Sequence, residues 1–201
     1  HVDKVGERVL IIGVGNTAMD CCRSSLRLGA KDVKVMARKP RRFFKASDWE
    51  LEDAEEENVE IIVNHSPKEF VIENGKLVGM KFDKMEYQVD ERGRIDRGTA
   101  VGEVTIPCDD VILAIGQENA FPWIERDAGI QFDKWGLPLL DKATFQSTVA
   151  NVFFGGDAAF GPKNIIWAVA HGHDAAISID KLLNDEDLAE RPAPGVTLVS
   201  Q

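Results

Sequence analysis

The chain has 201 residues, 44% hydrophobic and 29% charged, with a formal net charge of −10 and four histidines. That length holds one large soluble domain or two small ones, and no apolar run approaches the ~20 residues needed to span a bilayer. The acidic balance argues against nucleic acid as a partner, because a polyanion is repelled.

The first predicted element is an apolar strand over residues 9–12, running directly into Gly13-Val14-Gly15-Asn16-Thr17-Ala18. A Gly-x-Gly-x-x-Ala turn between a strand and a helix is the arrangement that holds a dinucleotide's diphosphate. Gly13 permits the tight turn, Gly15 has no Cβ to block the phosphates, and Ala18 lets the helix lie close to the strand. Asn16 and Thr17 open the helix, whose free amides and positive dipole end face the anion. The bland alternative is an ordinary strand-to-helix glycine turn with no ligand. The helix spans residues 17–28 and stops at Gly29, with Met19, Cys22 and Leu26 on its buried face.

A second strand over residues 33–37 completes a βαβ unit. An acidic residue just past that strand binds the ribose of NAD, whereas basic residues accommodate the 2′-phosphate of NADP. Here Arg38 and Lys39 stand there, followed by Arg41, Arg42 and Lys45, and the next carboxylate is Asp48. A guanidinium can grip phosphate bidentately. Arg38, Lys39 and Arg42 therefore favour NADP, with NAD as the alternative.

Ser47 is placed to cap an acidic, solvated helix running to Glu57, and residues 59–63 form a short buried strand of the same parallel sheet. Residues 69–73 and 76–82, joined by Asn74-Gly75, read as a hairpin. Residues 90–102 read as an exposed loop, residues 103–106 as a third meander strand, and residues 109–116 as a return to the central sheet. Beyond Asn119 come loops with short extended pieces. A strand over residues 151–157 stops at Gly155-Gly156-Asp157, a helix spans residues 165–183, and the tail from Glu190 is irregular. Ala168, Ala170, Gly172, Ala175 and Ala176 make that helix small-sided, suited to close packing on a sheet or a flat ligand.

Cys21, Cys22 and Cys108 include no Cys-x-x-Cys, and no His/Cys cluster has metal-ligand spacing, which fits a reducing cytoplasm. The chain opens at His1 without Met, a few residues before a core strand, as expected of a piece of a longer polypeptide.

Four stretches together resemble the pyridine-nucleotide-dependent flavin oxidoreductases, and within them the small subunit of NADPH-dependent glutamate synthase and its relatives. They are residues 13–20 with Arg23 and Arg27-Leu28-Gly29; Arg38; Ala114-Ile115-Gly116-Gln117; and Phe154-Gly155-Gly156-Asp157 with Gly161-Pro162 and residues 167–176. The resemblance implies an α/β fold. A three-layer Rossmann-like NAD(P)-binding domain over residues 1–118, parallel sheet plus antiparallel meander, is followed over residues 119–201 by the C-terminal portion of an FAD-binding domain. It also implies that Gly116 flanks the NADPH site and that Gly156 and Asp157 hold the ribityl chain of FAD. The amides of Ile165 and Ile166 would then face the flavin, where a helix N-terminus stabilises the charge that hydride arrival creates. In such an enzyme NADPH passes hydride to FAD, and electrons move on to iron–sulfur centres or a larger partner subunit. The residues of the N-terminal FAD half are not among these 201, so weak or absent FAD binding is expected of this chain by itself, and pairing with a second copy is left open. A thioredoxin-reductase-like enzyme is the disfavoured alternative, for want of a redox cysteine pair, and a non-catalytic NADP(H)-binding module is the other. Lys45, His171 and His173 depart from the family's usual Pro, acidic residue and Arg, which leaves the terminal acceptor open. Both histidines are expected on the helix surface.

Overall fold

The computed structural model describes residues 2–125 and 127–191, which divide into two compact units between Gln117 and Glu118. The first is built around β1 (Arg8–Ile12), whose Val9, Leu10 and Ile11 are at most 1% exposed. A strand so thoroughly apolar must be covered on both faces. Val9 and Ile11 point to one side, where they meet Ala18, Met19 and Cys22 of α1 (Asn16–Arg27) and Leu51 and Ala54 of α2 (Asp48–Glu56). Leu10 and Ile12 point to the other and pack with Met80, Phe82 and Cys108. Alternation along one strand thus builds two cores.

The central sheet is parallel. β1 pairs on one side with β2 (Asp32–Met36), which pairs with β3 (Glu60–Ile62), and on the other side with β7 (Asp110–Leu113). The opposite layer is an antiparallel meander of β4 (His65–Glu73), β5 (Lys76–Glu86) and β6 (Thr99–Pro107). The three layers are therefore helices, parallel sheet and meander, an α/β architecture. The hairpin turn sits where expected: Asn74 and Gly75 have φ of 50° and 75°, the pair of positive values a tight two-residue turn requires.

Three boundaries differ from the sequence reading. β4 and β5 run several residues further than expected, and β6 starts at Thr99 rather than at residue 103. The cause is pairing. β5 extends to Glu86, and β6 continues until Thr99 lies opposite it, with a register shift at Lys84/Met85. The backbone hydrogen bonds of a partner strand override the polar, Gly-containing local sequence.

The second unit is mostly irregular. Isolated bridges pair Phe132 with Pro138, Leu140 with Ser147 and Gln146 with Phe153. The strand expected over residues 151–157 is reduced to that last bridge. A strand needs a neighbour to pair with along its length, and among the described residues only the short stretch from Phe145 to Ser147 supplies one, through two backbone hydrogen bonds. A single helical turn, α3 (Asp157–Phe160), follows, and then α4 (Ile165–Leu183). The bounds of α4 agree with the sequence reading because local chemistry sets them: the Asn164 side chain accepts from the Trp167 amide at 3.1 Å and starts the helix. Residues from 192 onward, where most of the irregular tail was expected, lie outside the described residues. No helix is long and apolar enough to cross a membrane among the described residues.

Candidate functional site

The two glycines of the first turn are required for different reasons. Gly13 has φ +131°, and a Cβ there would drive into the Ala114 carbonyl, whose carbon would lie 2.8 Å away. The protein's own packing demands glycine at that position. Gly15 has φ −100° and ψ 175°, extended backbone open to any residue, and a Cβ on it would meet nothing within 4 Å. Nothing in the chain requires glycine there, and the space it leaves open is part of a cleft.

That cleft has a volume of about 570 Å³ and lies at the carboxyl ends of β1, β2 and β7. β2 and β3 follow β1 to one side and β7 lies on the other, so this is the point where the strand order reverses, the usual ligand crevice of such sheets. Of the residues singled out from sequence, Gly13, Gly15, Thr17, Arg38, Lys39 and Gly116 line it. Ala18 is fully buried in the core beneath. Asn16 turns its side chain to the neighbouring loop, where Oδ1 accepts from the Ser47 amide at 2.9 Å. Its amide and that of Thr17 have no acceptor among the described residues, as first-turn amides do. Phe43, Lys45, Pro67 and Ile115 also line the cleft and were not singled out beforehand; Lys45 and Ile115 lay within quoted motifs, whereas Phe43 and Pro67 carried no local signal.

The loop over residues 38–47 is held to this turn at its far end. The amides of Lys45 and Ala46 both donate to the Val14 carbonyl at 3.0 Å. At its near end the Tyr87 hydroxyl donates to the Arg38 carbonyl. Arg41 is taken up by Glu55 in a two-pronged ion pair. Arg42 lies off the cleft lining, its guanidinium carbon 4.8 Å from the centre of the Phe43 ring. Arg38, Lys39, Arg42 and Lys45 have no carboxylate partner among the described residues. The acids of α2 do not neutralise them, because several are engaged elsewhere: Arg23 pairs with Asp53 at 2.9 Å and Glu57 at 2.8 Å, and Arg27 joins Glu57 at 2.8 Å. Arg27 and then Arg23 push the Glu57 carboxyl down to about 2. Unbalanced positive charge is therefore left beside the cleft.

In the second unit, Gly156 adopts φ 61°, and Asp157 opens α3 on the surface. The Asp157 Oδ1 accepts from the Lys163 amide at 3.1 Å. Ile165 and Ile166 at the start of α4 are 82% and 78% exposed. Their amides have no acceptor among the described residues. The expectation that both α4 histidines lie on the surface fails for His171, which is 8% exposed. It packs on Phe160 with ring centres 4.4 Å apart, and the Gly156 amide donates to its Nδ1 at 3.2 Å. The aromatic rings of Phe145, Phe160 and Trp167 gather around it, and helical position alone does not disclose that. His173 is exposed as expected. A second, more open depression of about 500 Å³ near the end of α4 is lined by charges that satisfy one another, Lys181 pairing with Glu186 at 3.1 Å and Glu190 at 2.9 Å. No group of three or more His, Cys, Asp and Glu suited to a metal ion occurs among the described residues.

A family model described as pyridine nucleotide-disulphide oxidoreductase matches residues 1–172. The chain is 38% identical over 180 residues to the "NADP(+)-dependent formate dehydrogenase subunit beta" of Moorella thermoacetica, covering 89% of this chain and 25% of that protein. It is 34% identical over 185 residues to the "Glutamate synthase [NADPH] small chain" of Azospirillum brasilense, covering 89% of this chain and 37% of that protein. The chain thus spans well under half the length of these curated relatives. A thioredoxin reductase structure from T. acidophilum superposes with a TM-score of 0.70 at 24% identity, covering 89% of this chain and 54% of the other, a likeness of fold.

Proposed function

The chain belongs to the pyridine nucleotide-disulphide oxidoreductase family, and on that premise we propose that its first unit is the NADPH-binding part of a flavin-dependent oxidoreductase. The observation that carries this reading is Gly15, a glycine with no conformational or packing need for one, opening onto a cleft beside a cationic loop.

In this reading the amides of Asn16 and Thr17 donate to the diphosphate, and the dipole of α1 supports its charge. Arg38 and Lys39 grip the 2′-phosphate, since no carboxylate of the described chain competes for them. Gly116, with φ +104° and open space where a Cβ would stand, lets the cofactor pass along the end of β7. In the second unit, Gly156 and Asp157 would contact FAD, with the Asp157 carboxylate accepting from the ribityl hydroxyls. The free amides at Ile165 and Ile166 would face the flavin's pyrimidine edge. The chemistry that FAD would supply when bound is acceptance of hydride and its onward release as electrons. The chain's contribution is positioning, so no acid–base pair is assigned. Cys21 and Cys22 are adjacent on α1 and Cys108 is fully buried, so no cysteine is given a redox step.

The relatives' names place two of them as a subunit beta and a small chain, which supports a larger partner subunit; that such a subunit, or an iron–sulfur domain, takes the electrons onward is part of this proposal. The role so proposed is like that of a glutamate synthase small subunit. Titration of the chain with NADPH and NADH tests the cofactor assignment. Saturable binding with preference for NADPH is expected. Arg38→Asp is expected to weaken NADPH by about tenfold or more, as loss of a charge-assisted hydrogen bond does, and to reverse or abolish the preference. Properly folded protein that takes up no NADPH refutes the proposal.

A further inference from the structure

We propose that Tyr87 is a positioning residue for the cofactor's 2′-phosphate: its phenol fixes the main chain of Arg38 so that the guanidinium stands ready at the cleft. The inference rests on the NADP reading given above and deepens it.

Tyr87 is the only tyrosine of the chain and lies just beyond β5, in the meander layer. Its hydroxyl donates to the Arg38 carbonyl across 49 residues of sequence. The ring rests against Gly98, where a Cβ would stand 2.6 Å from Cε1 and 2.9 Å from Cδ1. Gly98 is itself held, because its amide donates to Asp96 Oδ1 at 2.9 Å. The same oxygen accepts from the Gln88 amide at 3.2 Å. A bridge between Val89 and Ile95 closes the segment into a small hairpin. The segment belongs to neither hydrophobic core. Its polar contacts hold it in place, and through the Tyr87 hydroxyl it reaches Arg38.

The sheet holds the chain only as far as Ala37, whose amide donates to Ile62 and whose carbonyl accepts from His65. From there to Lys45 the chain makes no main-chain tie to the glycine turn among the described residues. Without the phenol, the Arg38 backbone would be free to turn, and ordering it would weaken phosphate capture. NADP and NAD differ only in the 2′-phosphate. A residue acting through Arg38 must alter discrimination between them, whereas one that merely supports the fold alters both affinities together.

The test measures dissociation constants for NADPH and NADH in the full chain, in Tyr87→Phe, in Arg38→Ala and in the double variant. Tyr87→Phe keeps the ring on Gly98 and loses one hydrogen bond, so the preference for NADPH is expected to fall about threefold with NADH unchanged. In the Arg38→Ala background the same change is expected to do nothing further. Gly98→Ala displaces the ring and retains the phenol but also strains the backbone at φ +77°, so it is judged by the NADPH-to-NADH ratio alone; a fall in that ratio is expected and decides the matter should Tyr87→Phe fail to fold. An unchanged preference in Tyr87→Phe, equal weakening of both nucleotides, or an undiminished effect without Arg38 overturns the assignment. A wild-type chain with no preference for NADPH overturns instead the reading beneath it.

Discussion

Alanine at Gly15 and alanine at Gly13 are expected to act in opposite ways, although the two residues are separated by one position. At Gly15 the backbone already has an ordinary conformation and the added methyl meets no protein atom within 4 Å. Such a change removes freedom from the unfolded chain and stabilises by about 0.4–1 kcal/mol. For a chain of this size that is a rise in Tm of about 1–4 °C. On the proposed reading the methyl nevertheless stands where the diphosphate would approach. Losing one charge-assisted hydrogen bond costs about 1.5–3 kcal/mol, or about 10- to 150-fold in NADPH affinity. At Gly13 the methyl runs into the Ala114 carbonyl, and φ +131° is foreign to L side chains. Backbone strain of about 1–3 kcal/mol and steric overlap of similar size together approach the whole stability of a small domain. Thermal melts followed by circular dichroism, paired with NADPH fluorescence titrations, separate the cases. Gly15→Ala should melt at or above wild type and bind poorly, whereas Gly13→Ala should melt well below it. A Gly15→Ala chain that binds NADPH as wild type does would refute the placement of the diphosphate.

Two further outcomes follow from the ionisable groups. Glu57, with a carboxyl pKa of 4.5 when unperturbed, is held down to about 2, chiefly by Arg27 and then by Arg23. A pKa depressed on folding stabilises above the unfolded value and is lost as pH falls through the folded one. Tm should therefore drop between pH 4.5 and 2, and Glu57→Gln should flatten that part of the curve; equal slopes in the two proteins would dismiss the ion pairs as a source of stability. Burial pushes the Cys22 thiol up to about 11, and it is fully enclosed under α1. Iodoacetamide at pH 8 should leave Cys22 unmodified in peptide maps until the chain is unfolded, since the thiolate is the nucleophile; rapid labelling in the folded chain would contradict the core described for α1.

Features governed by neighbouring residues were legible in the sequence. The apolar run into Gly13 and Gly15, the turn at Asn74-Gly75 and the bounds of α4 at residues 165–183 each follow from the chemistry of a few adjacent residues, and the structure has them in place. Features governed by distant partners were not. β6 starts at Thr99 because β5 reaches Glu86, and the segment over residues 151–157 is no strand because, among the described residues, only the short stretch around Gln146 pairs with it. His171 looked like a surface residue of α4, but Phe145 and Phe160 enclose it. Within the candidate site, the sequence already separated the two glycines, one for the turn and one for open space. What it could not show was the physical ground for each, the nearness of Ala114 to Gly13 and the vacancy beside Gly15. Tyr87 gave no sign of its connection to Arg38, because nothing local to it bears on a loop 49 residues earlier.

The tethered loop between β2 and α2 divides its labour by residue. Phe44 and Ala46 pack against the helix-side core, and the amides of Lys45 and Ala46 anchor the segment through backbone alone. Arg38, Lys39 and Arg42 project outward and support no other part of the described chain through an ion pair. On the proposed reading, nucleotide choice rests on side chains that can be exchanged while the scaffold beneath them stays intact. A few surface replacements would then shift such a chain from one coenzyme pool to another without rebuilding the three layers that carry it.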